Sequence, residues 1–529
     1  MTTTAQQAQA TLIERLCDAD LYDHPVERFE VLQTHISWVI LTGPFAYKIK
    51  KPVDMGFLDF TSLEQRRRDC ERELALNRRL AADLYRDVVA ITGVADSPQF
   101  GGSGEAIEYA VRMKQFAQSQ RMDRLLAAGG LTDDHVDELA RMLAMFHQRA
   151  PRADGRQTYG TPGHVWRHVR GCLDKLDGLV KVPEPKRVLG DVTRWLTDEH
   201  ARLTARISAR RAGGFVRDCH GDAHLENLAV IDGHVVAFDC IEFSDGLRTI
   251  DVASEIAYTM MDLSCRGAPE LASRLLARYL EWTGDFAAAP LLSFYQCYRA
   301  LVRAMVTVLS SDRDDELTDE ARRYLNFASA CMQPVPPMLV ITRGPSGVGK
   351  THITERLLAP LRAVRIRSDI ERRRLFGMPL DAPTDRARRD VIYGPQASRR
   401  TYQRMTDAAG ALLAAGVSVI LDATFLDRRQ RDAARQTAAA VHRPCVLVDL
   451  HADEKTLRDR VASRARARRD ASEADDRVLR QQLAHLTPLP DDELATAVRV
   501  DASQPVDAQR LAGRIRRAAE AGRGATSAV

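Results

Sequence analysis

The sequence predicts a multidomain protein of mixed α/β and α+β class, and three observations predict it. A chain of 529 residues exceeds what one hydrophobic core supports, so two or more domains are expected. The run Gln333-Pro-Val-Pro-Pro337 places three prolines in five residues, which no helix continues through, and so marks a linker. Beyond it, apolar runs at Met338–Thr342, Ala363–Arg367, Val417–Leu421 and Pro444–Leu450 alternate with helical stretches, the pattern of a parallel sheet covered by helices on both faces. The chain then reads as a domain over residues 1–332, a linker at 333–337, a second domain over 338–520 and a flexible tail at 521–529.

Ahead of the linker the pattern differs. Up to Phe116, strand-like runs surround one charged helix, Leu63 to Ala82. From about Ala117 to Ala330 the periodicity is mostly helical, broken near Phe215–Phe243 by short apolar strands. Hydrophobic content of 45% and charged content of 28% are those of an ordinary soluble globular protein. No basic segment followed by an apolar stretch opens the chain, so no signal peptide is expected. The longest largely apolar run, Ala408 to Leu421, has 14 residues and is too short to span a bilayer. Nine scattered cysteines without a C-x-x-C pair fit reduced thiols, so a cytoplasmic location away from membranes is expected.

Charge is uneven along the chain. From Pro337 onward 35 Lys+Arg face 24 Asp+Glu, a net +11, whereas the preceding residues hold 41 against 48, a net −7. The basic part could attract nucleotides, phosphorylated substrates or nucleic acid. Only two of those 35 cations, Lys350 and Lys455, are lysines, so an arginine habit of composition is the plainer reading.

The strand Met338–Thr342 runs into Gly344-Pro345-Ser346-Gly347-Val348-Gly349-Lys350-Thr351, the G-x-x-x-x-G-K-[ST] pattern followed by a helix. Glycines let backbone N–H groups turn toward phosphate oxygens, and the helix N-terminus adds partial positive charge. Lys350 can reach the β- and γ-phosphates of ATP, and the Thr351 hydroxyl can ligate Mg²⁺. Asp422 ends the strand Val419-Ile-Leu and can hold the same metal; a loop or capping role is the alternative. In Ile366-Arg-Ser-Asp369-Ile-Glu-Arg372, an Asp at a strand's carboxyl end can accept an acceptor hydroxyl's proton, and Arg372 can hold the acceptor or its phosphate. A helix cap with a solvated arginine is the alternative there. Arg460, Arg464 and Arg468 share one helical face, as a lid over ATP or as a solvated basic face. With these motifs quoted, residues 338–505 resemble the small P-loop kinases that include gluconate kinases, zeta-toxin-type kinases and polynucleotide 5′-kinases. Asp422-Ala-Thr-Phe-Leu with Arg428, Arg429 and Arg431 behind it belongs to that resemblance. It implies that Asp369 activates the acceptor hydroxyl, and it leaves the acceptor unnamed.

Earlier in the chain, His220-Gly-Asp222-Ala-His-Leu-Glu-Asn227 repeats the D-x-x-x-x-N spacing of the protein-kinase catalytic loop, and Asp239 follows the strand-like Val235-Val-Ala-Phe. An Asp for the acceptor proton and two hard oxygen ligands suit Mg²⁺ bridging ATP phosphates. His220 reads as a structural hydrogen-bonder and His224 as a loop residue. Phe45-Ala-Tyr-Lys48-Ile-Lys50 puts both lysines on one strand face, with Lys48 favoured for phosphate and Glu73 of Cys70-Glu-Arg-Glu73 favoured as its partner. Thr34-His-Ile-Ser-Trp-Val, Lys48-Ile-Lys-Lys-Pro, Gly56-Phe-Leu-Asp-Phe and Leu76-Asn-Arg-Arg-Leu complete a resemblance, over about Thr34 to Ala330, to the aminoglycoside phosphotransferase and kinase-like superfamily. That likeness implies a bilobal kinase-like domain in which Asp222 is the base, Asn227 and Asp239 bind Mg²⁺, and Met113–Phe116 face adenine. The whole chain looks like bacterial proteins that fuse such a module to a P-loop kinase. Two departures stand out: no G-x-G-x-x-G precedes Lys48, and Asp239-Cys-Ile replaces Asp-Phe-Gly.

The expectation is therefore a bifunctional kinase with two MgATP sites and small, sugar-like acceptors. A nucleotide-binding switch protein, and 5′-hydroxyl kinase action on nucleic acid by the second half, are the alternatives. The sequence carries no readable signature of a protein partner.

Overall fold

The computed structural model describes residues 4–54, 56, 58–310, 317–380, 391–467 and 476–526. The chain divides into two compact units that do not follow chain order. The first comprises Met1–Arg266 and Ser293–Met332, and the second Gly267–Leu292 and Gln333–Val529.

After a helix at Thr4–Arg15, the first unit forms an antiparallel sheet of six strands: β1 (Glu30–Gln33), β2 (Ser37–Leu41), β3 (Phe45–Lys50), β4 (Tyr85–Val94), β5 (Ser97–Phe100) and β6 (Ala106–Lys114). Their order is β1-β2-β3-β6-β4-β5. Alternation along β3 sends Lys48 and Lys50 to the face covered by the helix Leu63–Asn77. That helix is capped by the Ser62 hydroxyl, which accepts from Gln65 N–H, and it ends sooner than its charge pattern suggests. Its inward stripe, Arg66, Asp69, Cys70, Glu73 and Asn77, recurs at helical spacing but is mostly polar. Such a stripe is stable only where each group finds a partner, as when Arg66 pairs with Glu108 at 2.9 Å. The rest of the unit is helical apart from two antiparallel ladders, β7 (Val216–Asp218) with β10 (Thr249–Asp251) and β8 (Leu228–Ile231) with β9 (His234–Ala237).

In the second unit β11 (Leu339–Arg343), β12 (Ala363–Arg367), β13 (Ser418–Asp422), β14 (Cys445–His451) and β15 (Val498–Asp501) form a parallel sheet ordered β12-β13-β11-β14-β15. Every residue of β11, β12 and β13 is buried, as expected of strands covered on both faces. Strand order reverses beside β11, and ligands of open parallel sheets bind at such a point, outside the strands' carboxyl ends. Residues 267–292 join this unit because Ala277 packs with Leu357, Leu358 and Ala363 in its core. The helix Ala508–Thr526 runs on through most of the segment expected as a tail; buried Leu511, Ala512, Ile515 and Ala519 hold its preceding turns against the sheet. Among the described residues no helix is long and apolar enough to cross a membrane.

Candidate active sites

At the carboxyl edge of the parallel sheet, β11 gives way to the loop Gly344–Gly349 and the helix Lys350–Leu361. Gly347 has φ +84°, and a Cβ there would lie 2.7 Å from the Leu457 carbonyl oxygen, so no other residue fits without displacing backbone. The Lys350 ammonium donates back to the carbonyls of Gly344 (3.1 Å) and Pro345 (2.9 Å), closing over its own loop. The Ser346 N–H donates to Gln482 Oε1 at 2.7 Å, so one amide of the loop already meets an oxygen acceptor.

Parallel registry sets Arg367 beside Asp422, and Asp369 follows two residues later in the first turn of the helix Ser368–Leu375. Asp422 accepts from the Thr354 hydroxyl (3.2 Å) and meets Arg367 Nε (4.0 Å), both through Oδ2. Oδ1 is thus left for a cation, and Thr351 stands in the first turn of the helix that carries Thr354. Arg372 donates to Asp369 at 3.3 Å and its guanidinium lies 4.7 Å from the Tyr393 ring centre. Its Nε is buried and without a partner. Arg460 donates to Val348 O (3.2 Å) and Ala502 O (2.8 Å), so neutralising phosphate charge would require it to leave a carbonyl. The Arg464 side chain and Arg468 lie outside the described residues. Of the arginines after Asp422, Arg431 is structural: it pairs with Glu493 (2.9 Å from Nε) and donates to Phe425 O at 2.9 Å.

Glu281, on the helix Pro269–Thr283, adds a feature that local spacing could not show. It meets Arg365 (3.0 Å), Arg278 (2.9 Å) and Arg367 (3.6 Å). Arg365 is fully buried and also donates to Thr351 O at 3.1 Å. Burial opposes ionisation of Glu281, but Arg367, Arg365 and Arg278 outweigh it and hold the carboxyl at about 2.

In the first unit, Lys48 lies 2.8 Å from Glu73 and pairs with Asp239, while Lys50 lies 2.8 Å from Glu73 and pairs with Glu242. Both lysines therefore converge on the carboxylate favoured for one of them. Burial raises Glu73, yet Lys48 and Lys50 prevail and hold it at about 2. Burial and then the Glu73 charge push Glu242 upward, against Lys50. Two ammoniums among three carboxylates leave room for added positive charge, and the Asp239 carboxylate is 46% exposed. Asp239 sits at φ +60°, a costly conformation for a residue other than glycine and a mark of functional turns.

Asp222 and Asn227 meet directly: Asn227 Nδ2 donates to Asp222 Oδ2 (2.9 Å) and to its backbone oxygen (3.0 Å), which leaves the Asn227 amide oxygen for a cation. His220 is structural, since its ring meets Phe238 O at 2.9 Å and its backbone N–H donates to Glu255 at 3.1 Å. His224 does more than fill a loop. Its Nε2 lies 3.3 Å from Asp222 Oδ2 and 3.2 Å from Arg303. Burial would raise the Asp222 carboxyl, but His224, Arg303 and His220 hold it well below the usual carboxylate range. Arg303 lies far in sequence from the motif it serves, and Glu242, three residues past Asp239, meets Lys50 only through tertiary packing.

A family model described as a phosphotransferase enzyme family matches residues 57–291, and one described as an AAA domain matches residues 339–489. Uncharacterized proteins of Mycobacterium bovis (strain ATCC BAA-935 / AF2122/97) and Mycobacterium tuberculosis (strain ATCC 25618 / H37Rv) are each 33% identical over 464 residues, covering 86% of this chain and 90% of theirs. Among solved structures, a gluconokinase from Sinorhizobium meliloti 1021 is 26% identical over 37% of this chain and 95% of its own, with a TM-score of 0.23. A choline kinase from Cryptosporidium parvum Iowa II is 10% identical over 61% and 95%, with a TM-score of 0.39.

Proposed function

We propose a function for each half from one premise: the chain belongs to the family of its mycobacterial relatives, and it carries a phosphotransferase-type segment followed by an AAA-domain segment. It is a phosphotransferase enzyme. Within that activity we assign it two MgATP sites, one in each unit, and hydroxyl acceptors of small, sugar-like type. What supports this most is that each unit carries a lysine of a phosphate-binding motif, Lys350 or Lys48, together with an aspartate of a proton-accepting motif, Asp369 or Asp222. Binding or switching alone requires no such carboxylate. A cytoplasmic location belongs to the same reading and is supported by nine cysteines, none in a disulfide.

In the second unit Lys350 and the loop amides hold the phosphates, Asp369 accepts the acceptor's proton, and the Arg372 guanidinium, whose buried Nε–H lacks a partner, holds the acceptor. Thr351 and Asp422 are the residues that would hold Mg²⁺, which supplies charge neutralisation at the phosphates. The base of the nucleotide is assigned to the groove of about 320 Å³ lined by Val500, Asp501, Pro505, Val506 and Leu511. Arg460 donates both to the phosphate loop at Val348 and to Ala502, the residue after the groove's Asp501. In the first unit Asp222 is the base, Lys48 holds phosphate while keeping Glu73, and Asn227 with Asp239 would hold Mg²⁺.

The test is ATP consumption by the full chain across sugars, sugar acids, amino sugars and oligonucleotides. Oligonucleotide affinity that falls steeply with salt would move the second unit to nucleic-acid acceptors. Lys350→Ala is expected to abolish turnover by the second unit and leave the fold intact; an unchanged rate would remove the phosphate-loop assignment. Asp369→Asn should lower kcat there by about 10²–10⁴-fold with MgATP affinity little changed. Because Asn caps helices about as well as Asp, a purely capping residue would leave activity untouched.

A further inference from the structure

We propose that a cavity beside the Asp222 loop, within the first unit, is a binding site for a small carboxylate anion seated on Arg299. The cavity measures about 40 Å³. One water needs about 10–15 Å³, so the space takes roughly three water-sized groups, enough for a carboxylate on one or two carbons and too little for a sugar ring.

Two polar groups in its wall lack the partner they need. The Tyr295 hydroxyl is buried with no hydrogen-bond partner. Arg299 is 5% exposed and donates to Gly221 O (3.2 Å) and the Ser254 hydroxyl (3.3 Å), with the rings of Tyr258 and Tyr298 at 4.7 and 5.6 Å. Among the described residues no carboxylate lies within ion-pair reach of it. A buried guanidinium without a counter-ion is costly, and its planar fork matches a carboxylate.

The other titratable groups facing the cavity do not supply that counter-ion. Asp251 is committed to Arg210 through both oxygens, at 2.7 and 2.8 Å. His164 and His168 meet at 3.2 Å between their Nε2 atoms. Burial, then each other's proximity and Arg167, hold His164 at about 4, and burial with Arg299 lowers His168, so the pair is neutral near pH 7. The cavity thus presents one uncompensated cation and one unused hydroxyl. A cationic ligand would be repelled, and a neutral one would leave Arg299 unpaired.

The carboxylate could belong to the acceptor itself or to a ligand that is never phosphorylated. The site stands one ring from the base, since Tyr258 lies 4.7 Å from the Arg299 guanidinium and burial, then the Asp222 charge, push its hydroxyl well above the ordinary range. Only the acceptor case rests on the function proposed above. There the acceptor hydroxyl attacks the γ-phosphorus of ATP, the bond to the ADP oxygen breaks, and the hydroxyl proton passes to Asp222.

Calorimetric titration of the full chain with sodium acetate and sodium glycolate, against sodium chloride at equal ionic strength, tests the site. Both carboxylates should saturate one site per chain that chloride does not fill. Tyr295→Phe removes a hydroxyl that has no partner, so it should fold like the parent and weaken carboxylate binding about tenfold or more. Arg299→Met should abolish binding. No saturation above the chloride baseline, or unchanged affinity in Tyr295→Phe, overturns the proposal. Transfer of phosphate to glycolate by the Lys350→Ala chain, lost on adding Asp222→Asn, identifies the ligand as the acceptor. Binding without transfer identifies a non-reacting ligand and equally supports the site. Transfer to neutral sugars with no carboxylate binding overturns the site and leaves the phosphotransferase reading intact.

Discussion

Asp222→Asn is expected to lower phosphoryl transfer by the first unit about 10²–10⁴-fold while leaving nucleotide affinity near the parent value. The side chain keeps its shape, so the contact with Asn227 at 2.9 Å can be kept by the new amide oxygen. Only the capacity to accept a proton is lost. His224, Arg303 and His220 overcome burial to depress the Asp222 carboxyl, so the parent base is already ionised at neutral pH. Its transfer rate should therefore show no loss on acidification until well below the ordinary carboxylate range. Parallel measurement of kcat and of nucleotide affinity checks this. Transfer by the first unit at the parent rate would remove the base role from Asp222.

The second large effect is on stability. Glu281→Ala removes the nearest counter-ion of fully buried Arg365, leaving it Glu355 at 3.7 Å, and takes one carboxylate each from Arg367 and Arg278, which keep Asp422 and Glu355 at 4.0 and 3.4 Å. Breaking a buried pair from one side costs about 3–5 kcal/mol. Linkage gives a similar size: a carboxyl moved from 4.5 to about 2 carries about 3 kcal/mol. Because the folded value is depressed, this stability is full above pH 4.5 and is lost as pH falls toward 2. Chemical denaturation of the second unit in parent and variant, at pH 7 and pH 3.5, measures it. The gap between the two proteins should shrink at the lower pH. An equal gap at both would mean that Glu281 acts through packing alone. Freed from Glu281, Arg367 can also close on Asp422, so the variant should require more Mg²⁺ for half-maximal turnover.

What could be read from the sequence was what short spacing encodes. Gly344–Thr351 is legible because phosphate, amides and one lysine must meet within eight residues. Asp422 and Asp369 are legible because buried parallel strands read as apolar runs and their carboxyl ends follow at once. Lys48 and Glu73 needed only a strand and a helix, although the sharing of Glu73 with Lys50 required three dimensions. Glu281 was hidden because its helix lies ahead of the proline run yet belongs to the second compact unit. Arg299, Arg303 and Glu242 were hidden for a related reason: tertiary packing alone brings them to the Asp222 and Lys48 motifs. The strand β15 was missed because it is a four-residue edge strand with alternate residues exposed, which resembles loop sequence. Arg460 shows the limit of helical-face reasoning, since periodicity gives a side chain's direction but not the carbonyls that receive it.

One chain carrying two separate nucleotide sites has a binding stoichiometry that can be measured without knowledge of either acceptor. Calorimetric titration with a non-hydrolysable ATP analogue and Mg²⁺ should give two nucleotides per parent chain and one per Lys350→Ala chain. A parent that binds one nucleotide, or a Lys350→Ala chain that still binds two, would rule out a separate nucleotide site in each unit.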